Sequence, residues 1–187
     1  LDTDLMICNA EKGMCIAGVF GGIDSGVTEQ TRDVFLESAC FDPVYIRKTS
    51  RHHLLQTDAS FRFERGSDPN ITVWALKRAA LLIREIAGGT ISSDVVDVYP
   101  EPVEQARVRI RFDHVNRLIG NRLDPDTIRS ILESLEMHVE KQDQHGMELR
   151  IPTYRVDVTR EADVIEELLR IYGFNRVEVK QQLHSTL

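Results

Sequence analysis

The chain has 187 residues, an ordinary 42% share of hydrophobic side chains and a formal net charge of −7. That length suffices for one large domain or two small ones with a real core. The negative charge argues against whole-surface attraction to a phosphate backbone, so any nucleic-acid contact needs a local basic patch. No run approaches the roughly 18 apolar residues of a membrane helix. The opening LDTDLMICNA has no basic n-region of a secretory signal. It also lacks an initiator Met and enters a strand-like pattern at once, which suggests an excised piece of a longer polypeptide. Cys8, Cys15 and Cys40 are an odd number without metal-ligand spacing. Their apolar neighbours predict buried thiols in a reducing compartment.

Leu5–Cys8 and Met14–Val19 read as short strands joined by the turn AEKG, a hairpin. GVFGGIDSGV follows, with Gly18, Gly21, Gly22 and Gly26 in nine residues. Such a run implies special backbone angles or close approach to another group. It has neither the Lys-Ser/Thr of a phosphate loop nor dinucleotide spacing. A structural turn and a small-ligand site of backbone N–H groups both stay open. Thr31–Phe41 alternates as a strand, with Val34, Leu36 and Ser38 on one side. Its Glu37 either faces solvent or reaches a ligand's amine. Pro43 opens a helix through Ile46 towards His53. The pair His52-His53 has no metal partner at i+4 and reads as surface or packing.

TDASFRFERGSDPN interleaves Arg62, Glu64, Arg65 and Asp68 with Phe61 and Phe63. These form an internal ion-pair network or line a site. Asp68-Pro69 starts a helix, Ala75, Ala79, Leu82 and Ile86 give it a face, and Gly88-Gly89 ends it. Trp74 is expected in the core. Ile91–Tyr99 reads as a strand, and Pro100, Glu101 and Pro102 as a linker.

Arg107, Arg109 and Arg111 alternate with Val108 and Ile110, a strand with one basic face. Asp113 is expected to cap a short helix that Gly120 ends. Asp124-Pro125 starts another, with Ile128, Ile131, Leu132 and Leu135 on one stripe. Met137–Lys141 and Met147–Ile151 flank QDQHG as a hairpin, and a helix follows. Strand, helix, helix, hairpin, helix is a winged-helix-like order. Between Ala106 and Asn175, 11 basic and 13 acidic residues give −2. That counts against a DNA reader, since the second helix carries Asp126, Glu133 and Glu136. The fold class is therefore α+β, with a sheet-and-helix part over 1–100, a linker at 101–105, a small winged-helix-like module over 106–175 and an extension over 176–187.

IPTYRVDVTREADVIEELLRIYG closes that module. At about 100° per residue, Ile165, Leu168, Leu169 and Tyr172 share one side of a helix starting near Thr159, while Asp163, Glu166, Glu167 and Arg170 fall on the other. Asp157 lies upstream, able to turn back towards the first-turn acids. Three readings relieve the repulsion among these carboxylates. One is water plus an Arg170–Glu166 pair at i, i+4. The second is the positive end of the helix dipole at Asp163. The third is a hard divalent cation such as Mg2+, which prefers carboxylate oxygens.

The motifs GVFGG, TRDVFLESACF and TDASFRFERGSDP resemble the C-terminal half of the editing module in the bacterial phenylalanyl-tRNA synthetase β-subunit family. IPTYRVDVTREADVIEELLRIYGF resembles the end of the small module that follows it there. The two cover nearly the whole chain, in family order. The resemblance implies that Asp157, Asp163, Glu166 and Glu167 coordinate Mg2+ near the contact with an α subunit, in a cytoplasmic α2β2 heterotetramer. It implies that Gly21, Glu37, Thr57 and Ala59 line a pocket that hydrolyses tyrosine wrongly joined to tRNA(Phe). Glu37 would bind the amino group or the tyrosine hydroxyl, Thr57 would offer its hydroxyl, and Gly21 and Ala59 would leave room.

An apolar synthetic site rejects an added hydroxyl only about 100-fold, so a second, hydroxyl-reading site is needed. No Ser-His-Asp set is evident, which favours a positioned water. The resemblance implies that ATP and phenylalanine bind the α subunit. It also implies that the other half of the editing module, including a histidine, lies outside this chain, so no catalytic set is complete and the fragment alone is inactive. The rival readings are a non-catalytic scaffold that binds tRNA or the α subunit, and a winged-helix regulator.

Overall fold

A computed structural model describes residues 2–177 of the chain. The last residues of the expected C-terminal extension, 178–187, lie outside the described part. Contacts divide the chain between Val103 and Glu104 into two compact units. Helices and small antiparallel sheets make the fold α+β.

In the first unit, β1 (Met6–Cys8) and β2 (Gly13–Ile16) form the expected hairpin, with Met6 opposite Ile16 and Ile7 opposite Cys15. The Asn9 carboxamide accepts from the backbone N–H groups of Glu11 and Lys12 and shapes the turn. Beyond β2 the chain reverses at Gly18, where φ is +64°. A Cβ there would sit 2.9 Å from both Ile46 and Phe41, so the turn needs both the left-handed angle and the missing side chain.

Helix α1 (Pro43–His52) starts at Asp42, whose carboxylate accepts from Val44 N at 2.8 Å, with Pro43 in the first turn. Helix α2 (Asp58–Phe63) starts at Thr57, in a reciprocal capping box with Ser60. Asp68 and Pro69 open a 3-10 turn, Pro69–Ile71, that leads into α3 (Thr72–Ala87), and Gly88 ends the helix.

Several expectations for this unit are overturned. Thr31–Phe41 and Ile91–Tyr99 are not strands: the alternation is present, but no neighbouring backbone among the described residues completes a ladder. Trp74 is 64% exposed rather than core, and α3 contributes no fully buried residue. The cysteines are not buried either: Cys8 and Cys40 are exposed and Cys15 is half-buried. One face of the hairpin is uncovered, and Cys40 rides on the unpaired segment, where Ser67 contacts its sulfur.

In the second unit, β3 (Arg107–Arg111), α4 (Phe112–Ile119), α5 (Pro125–Ser134), β4 (His138–Gln142), β5 (Gly146–Arg150) and α6 (Glu161–Tyr172) follow in the expected order. The sheet is antiparallel in the order β3-β5-β4. Val108 and Ile110 point into the core, and the arginines of β3 face out towards Glu140, Asp143, Glu148 and Glu161. A Cβ at Gly146 would meet the Ile110 carbonyl oxygen at 2.0 Å, so β5 approaches β3 only because that residue is glycine.

Asp124 caps α5 as expected, accepting from Asp126 N and Thr127 N. Asp113 is not the cap of α4. That helix begins one residue after β3, with Arg111 at the N-cap and Asp113 within its first turn. Fifteen buried apolar residues, among them Ile110, Ile128, Leu132, Met147 and Leu168, form one cluster between the sheet and the three helices.

Candidate functional site

Helix α6 buries Val164, Ile165 and Leu168 and half-buries Leu169 and Tyr172, the stripe the wheel anticipates with Val164 added. Asp163 stands at its third position. Its carboxylate accepts from Thr159 N at 3.1 Å and Arg160 N at 2.8 Å, satisfying donors that a helix start leaves orphaned. The Arg160 guanidinium adds a 2.9 Å contact and, as the largest influence, holds the Asp163 pKa at about 2.

Arg155 grips both oxygens of Asp157, Nε to Oδ1 at 3.2 Å and Nη2 to Oδ2 at 3.0 Å. The same Nη2 lies 3.1 Å from Glu167 Oε2. The side chains of Arg155 and Glu167 are only 15% and 13% exposed. Arg170 pairs with Glu167 at i, i+3, not with Glu166 at i, i+4 as expected. The more buried carboxylate gains more from a counter-charge, because water screens it less. Arg155 hydrogen bonding lowers the Asp157 pKa, against burial and the nearby Asp163 charge. Arg170, then Arg155, lowers that of Glu167 against burial.

Four oxygen donors of this kind suit a hard divalent cation chemically. As arranged here they do not form its cage. Among the described residues no three His, Cys, Asp or Glu side chains come together in a group able to hold a metal ion. Asp157, Asp163 and Glu167 each turn to a guanidinium, while Glu166 is exposed.

A fifth acid, Glu161, escapes the sequence reading. Its Oε1 accepts from Arg111 N at 2.8 Å, and its Oε2 lies 2.9 Å from Arg111 Nη2 and 2.8 Å from His114 Nδ1. Burial opposes its charge, but hydrogen bonds from Arg111 and His114 outweigh that and hold its pKa at about 2. This clamp fixes the start of α6 to the β3–α4 junction. The only sequence signal is an acid in a first helical turn, which does not name a partner 50 residues away. Arg155 escapes for a similar reason, lying in a stretch with no periodic pattern.

The second candidate region lies in the first unit. Thr57 Oγ1 donates to Val19 O at 2.7 Å and accepts from Ser60 N at 3.1 Å. That bond joins the start of α2 to the chain two residues before Gly21. The Thr57 proton is thereby committed, with one lone pair left. Space beside Gly21 is open, with no atom within 4 Å of a virtual Cβ, whereas at Gly22 a Cβ would strike Met14 O at 1.8 Å. Ala59 and Glu37 are exposed. Burial and then the Glu37 charge raise the Cys15 pKa, so Glu37 lies near β2.

The remaining polar residues singled out by sequence have local tasks. Arg65 pairs with Glu64 and stacks 3.5 Å over the Phe61 ring. His53 Nε2 lies 2.7 Å from Asp4 Oδ2, and Thr49 donates to the same carboxylate at 2.9 Å, tying the N-terminal segment to the end of α1.

Residues 1–88 match the B3/4 domain family and residues 108–174 match the tRNA synthetase B5 domain family. The phenylalanine–tRNA ligase β subunit of Bacteroides fragilis is 56% identical over 186 residues, all of this chain and 23% of that protein. That of Porphyromonas gingivalis is 52% identical over 98% of this chain and 22% of its own length. That of Geobacter metallireducens is 43% identical over 95% of this chain and 22% of its length. The chain thus spans about a quarter of the curated relatives it matches. The chain therefore carries a B3/4 domain followed by a B5 domain, and along its whole length it is similar to a segment of phenylalanine–tRNA ligase β subunits.

Proposed function

We propose that this segment serves within a phenylalanine–tRNA ligase, in a cytoplasmic β subunit that works with an α subunit to charge tRNA(Phe). The observation that carries this reading is 56% identity to a named phenylalanine–tRNA ligase β subunit along the entire chain. In this reading ATP and phenylalanine are handled by the α subunit. The B3/4 part contributes one wall of a site that hydrolyses tyrosyl-tRNA(Phe).

Each residue of that wall has a role that chemistry supports. Gly21 leaves space at the end of a turn held by Thr57. Ala59 keeps the neighbouring surface small. Glu37, exposed in the segment between Gly26 and Asp42, would accept from the ammonium or phenolic hydroxyl of a tyrosyl ester. Thr57 acts mainly by fixing the loop, because its proton goes to Val19 O. A water held by such groups gains rate by orientation, without a covalent intermediate. Mg2+ at Asp157, Asp163, Glu166 and Glu167 belongs, in the same reading, only to the assembled enzyme beside the α subunit.

The test is tyrosyl-tRNA(Phe) hydrolysis by the full-length ligase carrying Glu37→Ala. The expected result is a loss of about 100-fold or more in deacylation with aminoacylation retained. Undiminished deacylation would remove Glu37 from the site and leave the B3/4 part as a scaffold.

A further inference from the structure

We infer that the solvent face of α1 binds the phosphate backbone of an RNA strand through Lys48 and Arg51. This rests on the reading that the chain serves within a tRNA ligase, and it names residues that hold the RNA rather than act on an ester. Acids outnumber bases 30 to 23 in the chain, yet no Asp or Glu lies between Pro43 and Thr57. Arg47, Lys48, Arg51 and His52 fall in that stretch, and all four are exposed. At about 100° per residue they share the side of α1 that points away from its buried Ile46, Thr49 and Ser50.

These cations differ from those of the second unit in what they meet. There the three arginines of β3, and Arg155, Arg160 and Arg170, each pair with a carboxylate. Among the described residues Lys48 and Arg51 pair with none, and Arg47 donates to a backbone carbonyl, Glu64 O, at 3.0 Å. The carboxylates packed around α1 are engaged elsewhere. Asp4 holds Thr49 and His53, Glu64 holds Arg65, and Asp42 caps the helix. An α-helix rises about 1.5 Å per residue, so Lys48 and Arg51 stand about 4.5 Å apart along the axis, within reach of adjacent phosphates of one strand.

Aromatic groups flank the cations. His52 stands edge-on to His53, with 4.9 Å between ring centroids, and Asp4 fixes His53 in turn. Arg47 joins α1 to the end of α2, where the Arg65 guanidinium lies 3.5 Å over the exposed Phe61 ring. Rings and guanidinium planes of this kind take stacked bases. Val44 is the one exposed aliphatic side chain on α1. The face therefore lacks the apolar anchors that seat a peptide or a membrane surface on a helix. RNA fits it better than an acidic peptide does.

The test is the affinity of the 187-residue chain for a minihelix carrying the acceptor stem and 3′ end of tRNA(Phe), by fluorescence anisotropy across a salt series. Lys48→Gln with Arg51→Gln is expected to weaken binding about fivefold or more at low salt. The slope of log affinity against log salt should fall by about 1.4, at about 0.7 for each lost phosphate contact of a single strand. Lys77→Gln with Arg84→Gln makes the same charge change at exposed positions of α3 and is expected to cost less than about twofold. In the full-length ligase the first pair should raise KM for tyrosyl-tRNA(Phe) about threefold or more, with kcat retained.

No binding of the minihelix, equal losses from the two double variants, or an unchanged KM in the ligase would overturn the proposal. So would a polyglutamate peptide that binds as tightly as the minihelix and depends on the same two residues. The editing reading is tested apart from this one by Glu37→Ala, which should leave RNA affinity unchanged. Deacylation lost in Glu37→Ala, with RNA binding indifferent to Lys48 and Arg51, would remove this contact and keep the editing wall. RNA binding and KM that depend on Lys48 and Arg51, with deacylation indifferent to Glu37, would keep the contact and remove that wall.

Discussion

The first unit is the longer of the two and buries far less. The second gathers fifteen buried apolar side chains into one cluster, whereas the first fully buries only Ala17, Val19 and Ile46 among its described apolar residues. Helix α3 shows the contrast best. Its sequence has a clear apolar face, yet none of its 16 residues is buried. Helix α6 has a comparable face, and Val164, Ile165 and Leu168 are buried from it. An amphipathic pattern specifies which face gains from burial. Whether it is buried depends on an apolar surface that other elements must supply.

The largest effect that probes this contrast is Leu132→Ala on α5. Its side chain is fully buried in the second unit, so truncation is expected to cost about 3 kcal/mol through lost burial and a residual cavity. Urea unfolding monitored on the chain would show it. A loss below about 1 kcal/mol would mean that the cluster is loosely packed and the contrast overstated.

Glu161→Gln comes next, at about 1–2 kcal/mol near neutral pH, because it weakens charge-assisted hydrogen bonds at a partly screened site. The sign of its pH dependence follows from the depressed pKa. The folded value is about 2 against an ordinary 4.5, so the stabilisation is fully present above 4.5 and lost as pH falls towards 2. Stability of the unsubstituted chain and the variant, followed by denaturant midpoint, should converge over that interval. A constant gap down to pH 2 would place the Glu161 contribution elsewhere than in its charge.

The smallest effect is Ile86→Ser on α3. Ile86 is 82% exposed, so stability in the isolated chain should change by no more than about 0.5 kcal/mol. A loss approaching that of Leu132→Ala would show that the face of α3 is covered in solution and would break the comparison.

Legibility in the sequence followed the same division. Starts and stops were readable in both units, because Pro43, Asp124-Pro125, Gly88 and Gly120 act through their own backbone neighbours. The alternation of β3 was readable and correct, since β5 completes its ladder. The same kind of alternation over Thr31–Phe41 gave a strand that is not formed, for want of a ladder partner among the described residues. Cys40 and Trp74 were misplaced for a related reason: an apolar context in sequence does not guarantee a cover in space.

The four acids near α6 were legible as candidates through spacing and family resemblance, and Gly21, Glu37, Thr57 and Ala59 as a pocket through resemblance alone. By itself, the sequence determined the α+β class, the order of elements in the second unit and the acidic and apolar sides of α6. All of these follow from local periodicity and backbone preference. Only the tertiary structure decided how the acids are neutralised. It set Arg155 across Asp157 and Glu167, and Arg111 and His114 on Glu161, bringing together charges up to 50 residues apart. A pairing of that kind depends on which surfaces the core brings into register, and one-dimensional spacing carries no record of it.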